Sequence, residues 1–167
     1  MDKPPYSQYI FFWGEKNTDG FMSNFYPCVF SENNYTYNCS EQYFMKKKQE
    51  LFDPTNEQLA NAIMNTTDPK EIKKYGRAVK NYNESVWNTH RITVMFNANK
   101  LKFSSNSHLR EQLIATGNKI LVEASPYDNI WGIGLAKKDA ITLLPTKWPG
   151  QNLLGKVLMK VRDEFTK

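Results

Sequence analysis

Cysteine and histidine are scarce in this chain of 167 residues. They occur only as Cys28, Cys39, His90 and His108. Two cysteines are too few for the disulfide framework of a small secreted protein, and these four side chains do not have the spacing of a zinc site. The sequence therefore predicts no metal site and no bound cofactor. At this length a hydrophobic core can form without covalent cross-links.

Long apolar runs are also missing. The first residues, Met-Asp-Lys-Pro-Pro, contain no apolar leader core. No run approaches the roughly 18 apolar residues that a membrane-spanning helix needs. These absences predict a soluble, cytoplasmic protein without a membrane partner.

Several signature motifs of catalysis and nucleotide binding are lacking. The chain has no phosphate-binding P-loop and no nucleophile elbow, and Ser125 has no histidine nearby in a triad-like pattern. The sequence Ile-Trp-Gly-Ile-Gly at 130–134 lacks the third glycine of the dinucleotide-binding fingerprint, and no βαβ unit follows it. A classical dinucleotide fold is excluded, and hydrolysis by this chain would have to use carboxylates and lysine.

The chain is moderately basic and rich in aromatic residues. It carries 22 basic and 17 acidic side chains, a net charge of +5 and 14% aromatic residues. The aromatic content indicates a folded domain, and we predict a single domain over 1–167 with a core at about 9–166. The positive charge favours anionic partners such as phosphates or nucleic acid.

Hydrophobic periodicity predicts a mainly α-helical domain with a few short strands. The predicted strands lie at 10–13, in a hairpin over 29–37, and at 120–122. The predicted helices lie at 40–52, after caps at Thr55 and Asp68, at 84–101, before Gly117, and at 154–165. Gly76 is expected to end the helix that starts near Asp68. The long helix is expected to bury one face, consisting of Trp87, His90 or Arg91, Val94, Met95, Ala98 and Leu101.

Residues 123–134, which begin Glu-Ala-Ser-Pro-Tyr-Asp, combine two carboxylates, an indole and two glycines in one turn. A buried strand that ends in a carboxylate, followed by a proline turn and glycines that allow close backbone approach, is typical of a polar ligand pocket. The candidate carboxylates are Glu123 and Asp128, and the indole is Trp131.

Glu41 and Lys48 lie seven residues apart on the predicted helix at 40–52. Nearly two helical turns place both side chains on one face, about 10 Å apart along the axis. They can line one pocket. In an equally weighted alternative, Glu41 completes a helix cap with Asn38 and the lysines form a solvated basic face.

Arg77 and the indoles of Trp87 and Trp131 each have two interpretations. The guanidinium follows a helix and can bind a phosphate or carboxylate in bidentate fashion, although spacing alone favours an ordinary surface arginine. The indoles can stack on a planar base, although large aromatics at helical spacing more often pack in a core.

Ten short motifs, taken in order, resemble the NADAR superfamily, also called YbiA-like, over nearly the whole chain. They are Phe12-Trp-Gly14, Phe21-Met-Ser-Asn24-Phe25, Ser40-Glu41-Gln42-Tyr43-Phe44-Met45 with Lys48, Tyr75-Gly-Arg77, Trp87, Lys102-Phe103, Thr116-Gly117, Glu123-Ala-Ser-Pro-Tyr-Asp128, Trp131-Gly-Ile-Gly134 and Gly150-Gln-Asn152-Leu-Leu-Gly155.

This resemblance implies a YbiA-like fold and an N-glycosidase that cleaves ribosyl–nitrogen bonds. Two substrate classes are associated with the family. One is ADP-ribose on the guanine amino group of nucleic acid, which some members remove as antitoxins of an ADP-ribosyltransferase toxin. The other is a riboflavin-pathway intermediate that carries a phosphorylated ribosylamine.

The resemblance also implies roles for individual residues. The catalytic candidates are Glu41, Lys48 and Asp128, of which Lys48 would form a Schiff base with a ring-opened sugar, with Lys46 and Lys47 helping to lower its pKa. The substrate-binding candidates are Asn24, Arg77, Trp87, Glu123, Trp131, Gly132 and Asn152. Glu123 stands at a strand end, where holding the backbone donors of the turn is the favoured role.

Three hypotheses about function follow. The lysine-rich helix and the basic charge favour release of ADP-ribose from guanine in nucleic acid. The second hypothesis is the glycosidase of the riboflavin intermediate. The third, from another class, is a non-catalytic module that binds NAD or ADP-ribose.

Overall fold

The computed structural model describes residues 6–167. Within them lie seven α-helices and four short strands, so the predicted mainly α-helical fold is confirmed. The chain divides into two compact units, one made of residues 6–23 with 108–167 and the other of residues 24–107. None of the helices in residues 6–167 combines the length and the apolar composition that a membrane span requires.

The first unit is built around a pair of parallel strands. Strand β1 (Tyr9–Phe12) pairs with β4 (Ile120–Glu123), and Tyr9 lies opposite Ile120. Helix α5 (Ser107–Ala115) precedes β4, and the short helix α6 (Lys137–Ala140) follows it. The closing helix α7 (Leu153–Thr166) buries Leu154, Val157, Leu158 and Val161 along one face.

The second unit begins with a hairpin. Strand β2 (Phe30–Glu32) pairs with β3 (Tyr35–Tyr37) in antiparallel register through a two-residue turn. The turn residues Asn33 and Asn34 both have positive φ. Asparagine tolerates this conformation, which matches the twist of the two strands. The predicted hairpin is therefore confirmed.

Four helices complete the second unit. They are α1 (Ser40–Phe52), α2 (Glu57–Met64), α3 (Pro69–Arg77) and α4 (Glu84–Ser105). The N-terminal cap of α2 is Asn56, whose side chain accepts from the Leu59 amide, so the prediction of Thr55 as the cap was wrong. The cap predicted at Asp68 is confirmed, because its carboxylate accepts from the Lys70 amide.

Gly76 does not end α3, which continues to Arg77. A Cβ atom at Gly76 would lie 1.9 Å from Sδ of Met45 in α1. The glycine is therefore a packing position that lets α3 approach α1 closely, and the prediction of a helix stop was wrong.

The buried face of α4 differs from the predicted one. Trp87, Met95 and Ala98 are buried as expected. Of the two alternatives, His90 is exposed and Arg91 is partly buried, as are Val94 and Leu101. The buried face continues through Asn99, Lys102 and Phe103 instead. Two polar residues in this set made the face unrecognisable from apolar spacing alone.

Lys102 is fully buried in the second unit. Its Nζ lies 5.7 Å from the ring centroid of Tyr26 and 5.2 Å from that of Phe103. Burial lowers the pKa of Lys102 to about 8, and the nearby Cys28 and Cys39 oppose this shift. Burial also raises the pKa of the Cys39 thiol to about 12 and raises that of Cys28.

Candidate functional site

Glu41 lies in the first turn of α1 and is only 7% exposed. Its backbone amide donates to the carbonyl of Asn24 at 3.0 Å. A carboxylate in this position benefits from the partial positive charge of a helix N-terminus. The first turn of α1 thus holds a buried negative group.

The side chain of Gln42 forms hydrogen bonds that connect the start of α1 to the residues before it and to the end of α2. Its Oε1 accepts from the Asn38 amide at 2.8 Å, and its Nε2 donates to the carbonyl of Ile63 at 3.0 Å. Gln42 thus accepts from the Asn38 amide, the bond that the alternative interpretation assigned to Glu41.

Lys48 lies two helical turns after Glu41 and faces α3. Its Nζ donates to the carbonyl of Gly76 at 2.9 Å and lies 4.6 Å from the ring centroid of Tyr82. Burial lowers the pKa of Lys48, the Arg77 charge lowers it further, and the Glu41 charge opposes both. The charges of Glu41 and Arg77 therefore both act on Lys48, which connects a residue of α1 with the end of α3.

Lys46 and Lys47 have different surroundings from Lys48. Lys46 Nζ lies 2.8 Å from a carboxylate oxygen of Glu50, and Lys47 Nζ lies 3.1 Å from Glu32 and 3.3 Å from Glu50. Two carboxylates thus neutralise the two lysines locally. The expectation that they lower the pKa of Lys48 was wrong, because burial and Arg77 cause that shift.

Arg77 is the last residue of α3, and its side chain is exposed. The close approach at Gly76 brings the end of α3 to Lys48, which explains why the Arg77 charge acts on that amine. A guanidinium in this position can bind a phosphate without being withdrawn from solvent.

Two buried polar oxygens lie at the start of α1. Oδ1 of Asn24 and Oγ of Ser40 have no hydrogen-bond partner within residues 6–167. Buried polar atoms without partners are rare in folded proteins, so each one calls for an explanation such as strain, a functional role or a bound water. Asn24 is one of the predicted binding residues, whereas Ser40 is not, because a serine at the start of a helix is usually read as a cap.

Trp87 lies in the core of the second unit and is 6% exposed. Its ring centroid is 5.0 Å from that of Phe44 and 6.1 Å from that of Phe52. Packing accounts for this indole, and contact with a base stays a prediction.

The turn after β4 belongs to the first unit and is organised by Asp128. One oxygen of its carboxylate, Oδ1, accepts from the Ile130 amide at 2.8 Å and from the Trp131 amide at 2.9 Å. This is the turn-holding role that the sequence favoured for Glu123. The side chain of Asp128 thus fixes the path of the backbone that carries Trp131.

Asn152 joins the start of α7 to β4. Its Oδ1 accepts from the Glu123 amide at 3.0 Å, and its Nδ2 donates to the carbonyl of Leu121 at 2.9 Å. Its own backbone amide donates to the carbonyl of Gly132 at 3.0 Å. A Cβ atom at Gly132 would lie 3.0 Å from the carbonyls of Asp128 and Glu123, so the turn closes tightly there.

The structure therefore groups nine of the ten predicted site residues in two sets, each within one unit, and places Trp87 apart from both in the core of the second unit. Asn24, Glu41, Lys48 and Arg77 surround the start of α1 and the end of α3. The second set consists of Glu123, Asp128, Trp131, Gly132 and Asn152, all in or bonded to the turn after β4. Within the described residues no group of His, Cys, Asp or Glu side chains is placed to hold a metal ion.

Comparisons with known proteins agree with the motifs. A sequence profile described as the NADAR domain matches residues 11–166. N-glycosidase R617 of Acanthamoeba polyphaga mimivirus is 42% identical over 165 residues, which cover 94% of this chain and 96% of that protein. The riboflavin biosynthesis protein VVA0006 of Vibrio vulnificus is 31% identical, and the match covers 95% of this chain but 39% of that protein. The NMR structure of the Escherichia coli protein YbiA has a TM-score of 0.75 and 26% identity and covers 95% of this chain and 84% of that chain, so the predicted YbiA-like fold is confirmed.

Proposed function

The chain belongs to the NADAR family, and we propose that it is an N-glycosidase that releases ADP-ribose from the guanine base of modified nucleic acid. The observation that carries the proposal is the coupled group of Glu41, Lys48 and Arg77. It combines a buried carboxylate, an amine of lowered pKa and an exposed cation for phosphate. The name of the mimivirus relative, an N-glycosidase that matches over almost its whole length, supports the reaction class.

The reaction breaks the bond between the anomeric carbon and the amino nitrogen of guanine. The electron pair of this bond leaves with the nitrogen, which takes up a proton, while positive charge develops on the sugar. A nearby carboxylate stabilises that charge and can remove a proton from the attacking water. Glu41 takes this role in the proposal, and Asp128, whose Oδ1 holds two backbone amides of its turn, is the acid–base candidate of the first unit.

Lys48 offers a covalent variant of the same reaction. Its lowered pKa increases the fraction of neutral amine, which can attack the anomeric carbon of a ring-opened sugar and displace the guanine amine. Water then hydrolyses the resulting Schiff base and returns free ADP-ribose and the lysine. Borohydride should trap this intermediate as a stable adduct in the wild type and in Lys47→Ala. Absence of the adduct from the wild type, or an undiminished adduct in Lys48→Ala, removes Lys48 from the mechanism.

The remaining predicted residues are proposed to bind substrate. Arg77 would hold a phosphate group, and the unpartnered oxygen of Asn24 would accept from a ribose hydroxyl. Trp131 and Gly132 would contact the base or ribose, and Glu123 and Asn152 would position their turn. Trp87 would support the site through the aromatic core.

A second candidate is the phosphorylated ribosylamine intermediate of riboflavin synthesis. It is favoured by the riboflavin-biosynthesis name of the Vibrio relative, although the chain spans only about two fifths of that protein. The same carboxylate and amine would serve this substrate, because it also carries nitrogen on the anomeric carbon. The match leaves most of the Vibrio protein uncovered, so the activity of that whole protein does not follow for this chain.

A direct comparison of substrates tests the proposal. Purified protein is given an oligonucleotide that carries ADP-ribosyl-guanine and, separately, the ribosylamino-pyrimidine phosphate. Release of ADP-ribose and of ribose 5-phosphate is followed by chromatography. We expect release of ADP-ribose. Cleavage of the small metabolite alone rejects the first substrate, and cleavage of neither, with retained binding of ADP-ribose, indicates a binding module.

A further inference from the structure

Helix α3 presents an exposed basic face. Lys70, Lys73, Lys74 and Arg77 are all exposed and lie within an arc of about 100° around the helix axis. The buried residues Ile72 and Gly76 lie on the opposite side. We refer to these four side chains as the α3 basic face.

Carboxylates do not neutralise this face. Within residues 6–167 none of its four cations forms an ion pair, in contrast to Lys46 and Lys47 of α1. Asp68, the acidic residue before α3, uses its side chain to cap the helix through the Lys70 amide. Helix α3 has four basic residues and one acidic residue, Glu71, for a net charge of +3, whereas α1 has three basic and two acidic residues, for a net charge of +1.

Helix stability does not account for the whole face. Cations near a helix C-terminus are favourable by about 0.3–1 kcal/mol, which suits Lys74 and Arg77. Lys70 lies in the first turn of α3, where the helix dipole disfavours a positive charge. The helix dipole therefore does not explain a lysine at this position.

The α3 basic face leads to the candidate catalytic group. Lys70 and Arg77 are separated by about 10 Å along the axis, and Arg77 acts electrostatically on Lys48. Lys48 Nζ donates to the carbonyl of Gly76, the residue before Arg77, so a polyanion lying along α3 would reach the end of the helix beside Lys48. We propose that the α3 basic face binds the phosphate backbone of the nucleic acid whose modified base is the substrate, an inference that rests on the proposed function.

Salt dependence gives this proposal a quantitative form. Each phosphate that a lysine neutralises releases condensed counterions, so the logarithm of the affinity falls by about 0.7 per contact for each logarithmic unit of salt on a single strand. Removal of three contacts should therefore reduce the salt slope by about 2.

A triple variant tests the surface without touching the catalytic group. Lys70→Gln, Lys73→Gln and Lys74→Gln are combined, and Arg77 is kept. The matched control is the combination Lys138→Gln, Lys156→Gln and Lys160→Gln, which removes the same charge from three exposed lysines of the first unit. Binding of an unmodified, fluorescently labelled single-stranded oligonucleotide is measured by anisotropy at several salt concentrations.

We expect the α3 triple variant to bind at least tenfold more weakly at low salt and to lose about 2 units of salt slope, whereas the control keeps the wild-type slope. Thermal melting checks that both variants are folded. Equal losses in the two triple variants would assign the effect to net charge, and no loss in either would leave α3 as a solvated helix. Both of these outcomes overturn the proposal.

An activity measurement separates this proposal from the proposed function. In the α3 triple variant, KM for the modified oligonucleotide should rise at least tenfold, while kcat/KM for free ADP-ribosyl-guanosine should stay within twofold of wild type. If the wild type cleaves both substrates and the triple variant cleaves them equally well, the proposed role of the α3 basic face is rejected and the proposed function is retained. If the wild type cleaves neither substrate but only the α3 triple variant loses affinity for the oligonucleotide, the role of the α3 basic face is retained and the proposed function is rejected.

Discussion

Three consecutive lysines in α1 differ in their surroundings although the sequence presents them as equivalent. Lys46 and Lys47 are paired with carboxylates, whereas Lys48 points to the end of α3. Glu50 of the same helix pairs with Lys46 and Lys47, whereas Glu32 of β2 and Gly76 of α3, the further partners of Lys47 and Lys48, lie outside α1. Spacing on the helix therefore predicts a catalytic role for Lys48 only when the family motif is added. The physical cause of its pKa shift could not be predicted from the sequence.

The pKa of Lys48 should respond in opposite directions to its two charged neighbours. Arg77→Gln removes a like charge and should raise the pKa, whereas Glu41→Gln removes an opposite charge and should lower it further. The pH dependence of acylation at Lys48, followed by peptide mass spectrometry, measures both shifts. Lys47, whose pKa is raised by Glu32 and Glu50 against the effect of burial, is an internal control. Shifts of the same sign would contradict the coupling.

Glu41→Gln should lower kcat by about 10²- to 10⁴-fold, because the amide can neither stabilise a developing positive charge nor accept a proton. Glu57→Gln is the control, since Glu57 is exposed and also lies in the first turn of its helix. Single-turnover release of ADP-ribose measures the chemical step. Unchanged kcat in Glu41→Gln would move the catalytic role to another carboxylate.

Among the elements, those defined by local sequence were predicted well and those defined by distant contacts were not. The start of α1, the hairpin turn and the cap of α3 depend on neighbouring residues. The parallel pairing of Tyr9 with Ile120 joins strands more than a hundred residues apart, for which the sequence carries no local signal. The prediction for Gly76 was wrong because the sequence alone does not distinguish a glycine required for close helix packing from a glycine that ends a helix.

Helix α7 and β4 approach each other closely enough to require a glycine. A Cβ atom at Gly155 would lie 2.1 Å from the carbonyl oxygen of Leu121 and within 2.6 Å of the Asn152 side chain. Gly155→Ala should therefore destabilise the protein by about 1–3 kcal/mol or more, because a backbone atom cannot move aside. Urea unfolding measures the loss. Lys156→Ala, at the exposed neighbouring position, should change the free energy of unfolding by no more than about 0.5 kcal/mol.

At the scale of the whole molecule, Lys102 should make stability depend on pH. Its folded-state pKa of about 8 lies below the usual value of 10.5, so the unfolded chain binds more protons between these two values. The free energy of unfolding that Lys102 contributes should therefore rise with pH from about 8 to 10.5, by roughly 3 kcal/mol in total. The raised pKa values of Cys28 and Cys39 contribute the opposite slope over much of the same range.

Lys102→Met isolates this contribution, because the cysteines are common to both proteins. The variant should be more stable than wild type at pH 7, and its advantage should shrink as the pH rises towards 10. Urea midpoints at matched pH give the difference. Lys156→Met, which alters an exposed lysine, should show a constant difference. A constant difference for Lys102→Met would contradict the lowered pKa.

Both thiols are buried in the unit of residues 24–107, so their reaction with a thiol reagent reports on the opening of this unit. Cys28 and Cys39 are the only cysteines of the chain, and both are buried, with 9% and 1% of their surface exposed. A thiolate must be exposed before it reacts, so a thiol reagent can modify the protein only when this unit opens. The rate of thiol labelling under native conditions therefore measures the opening equilibrium of the unit that carries Glu41 and Lys48, without any engineered probe.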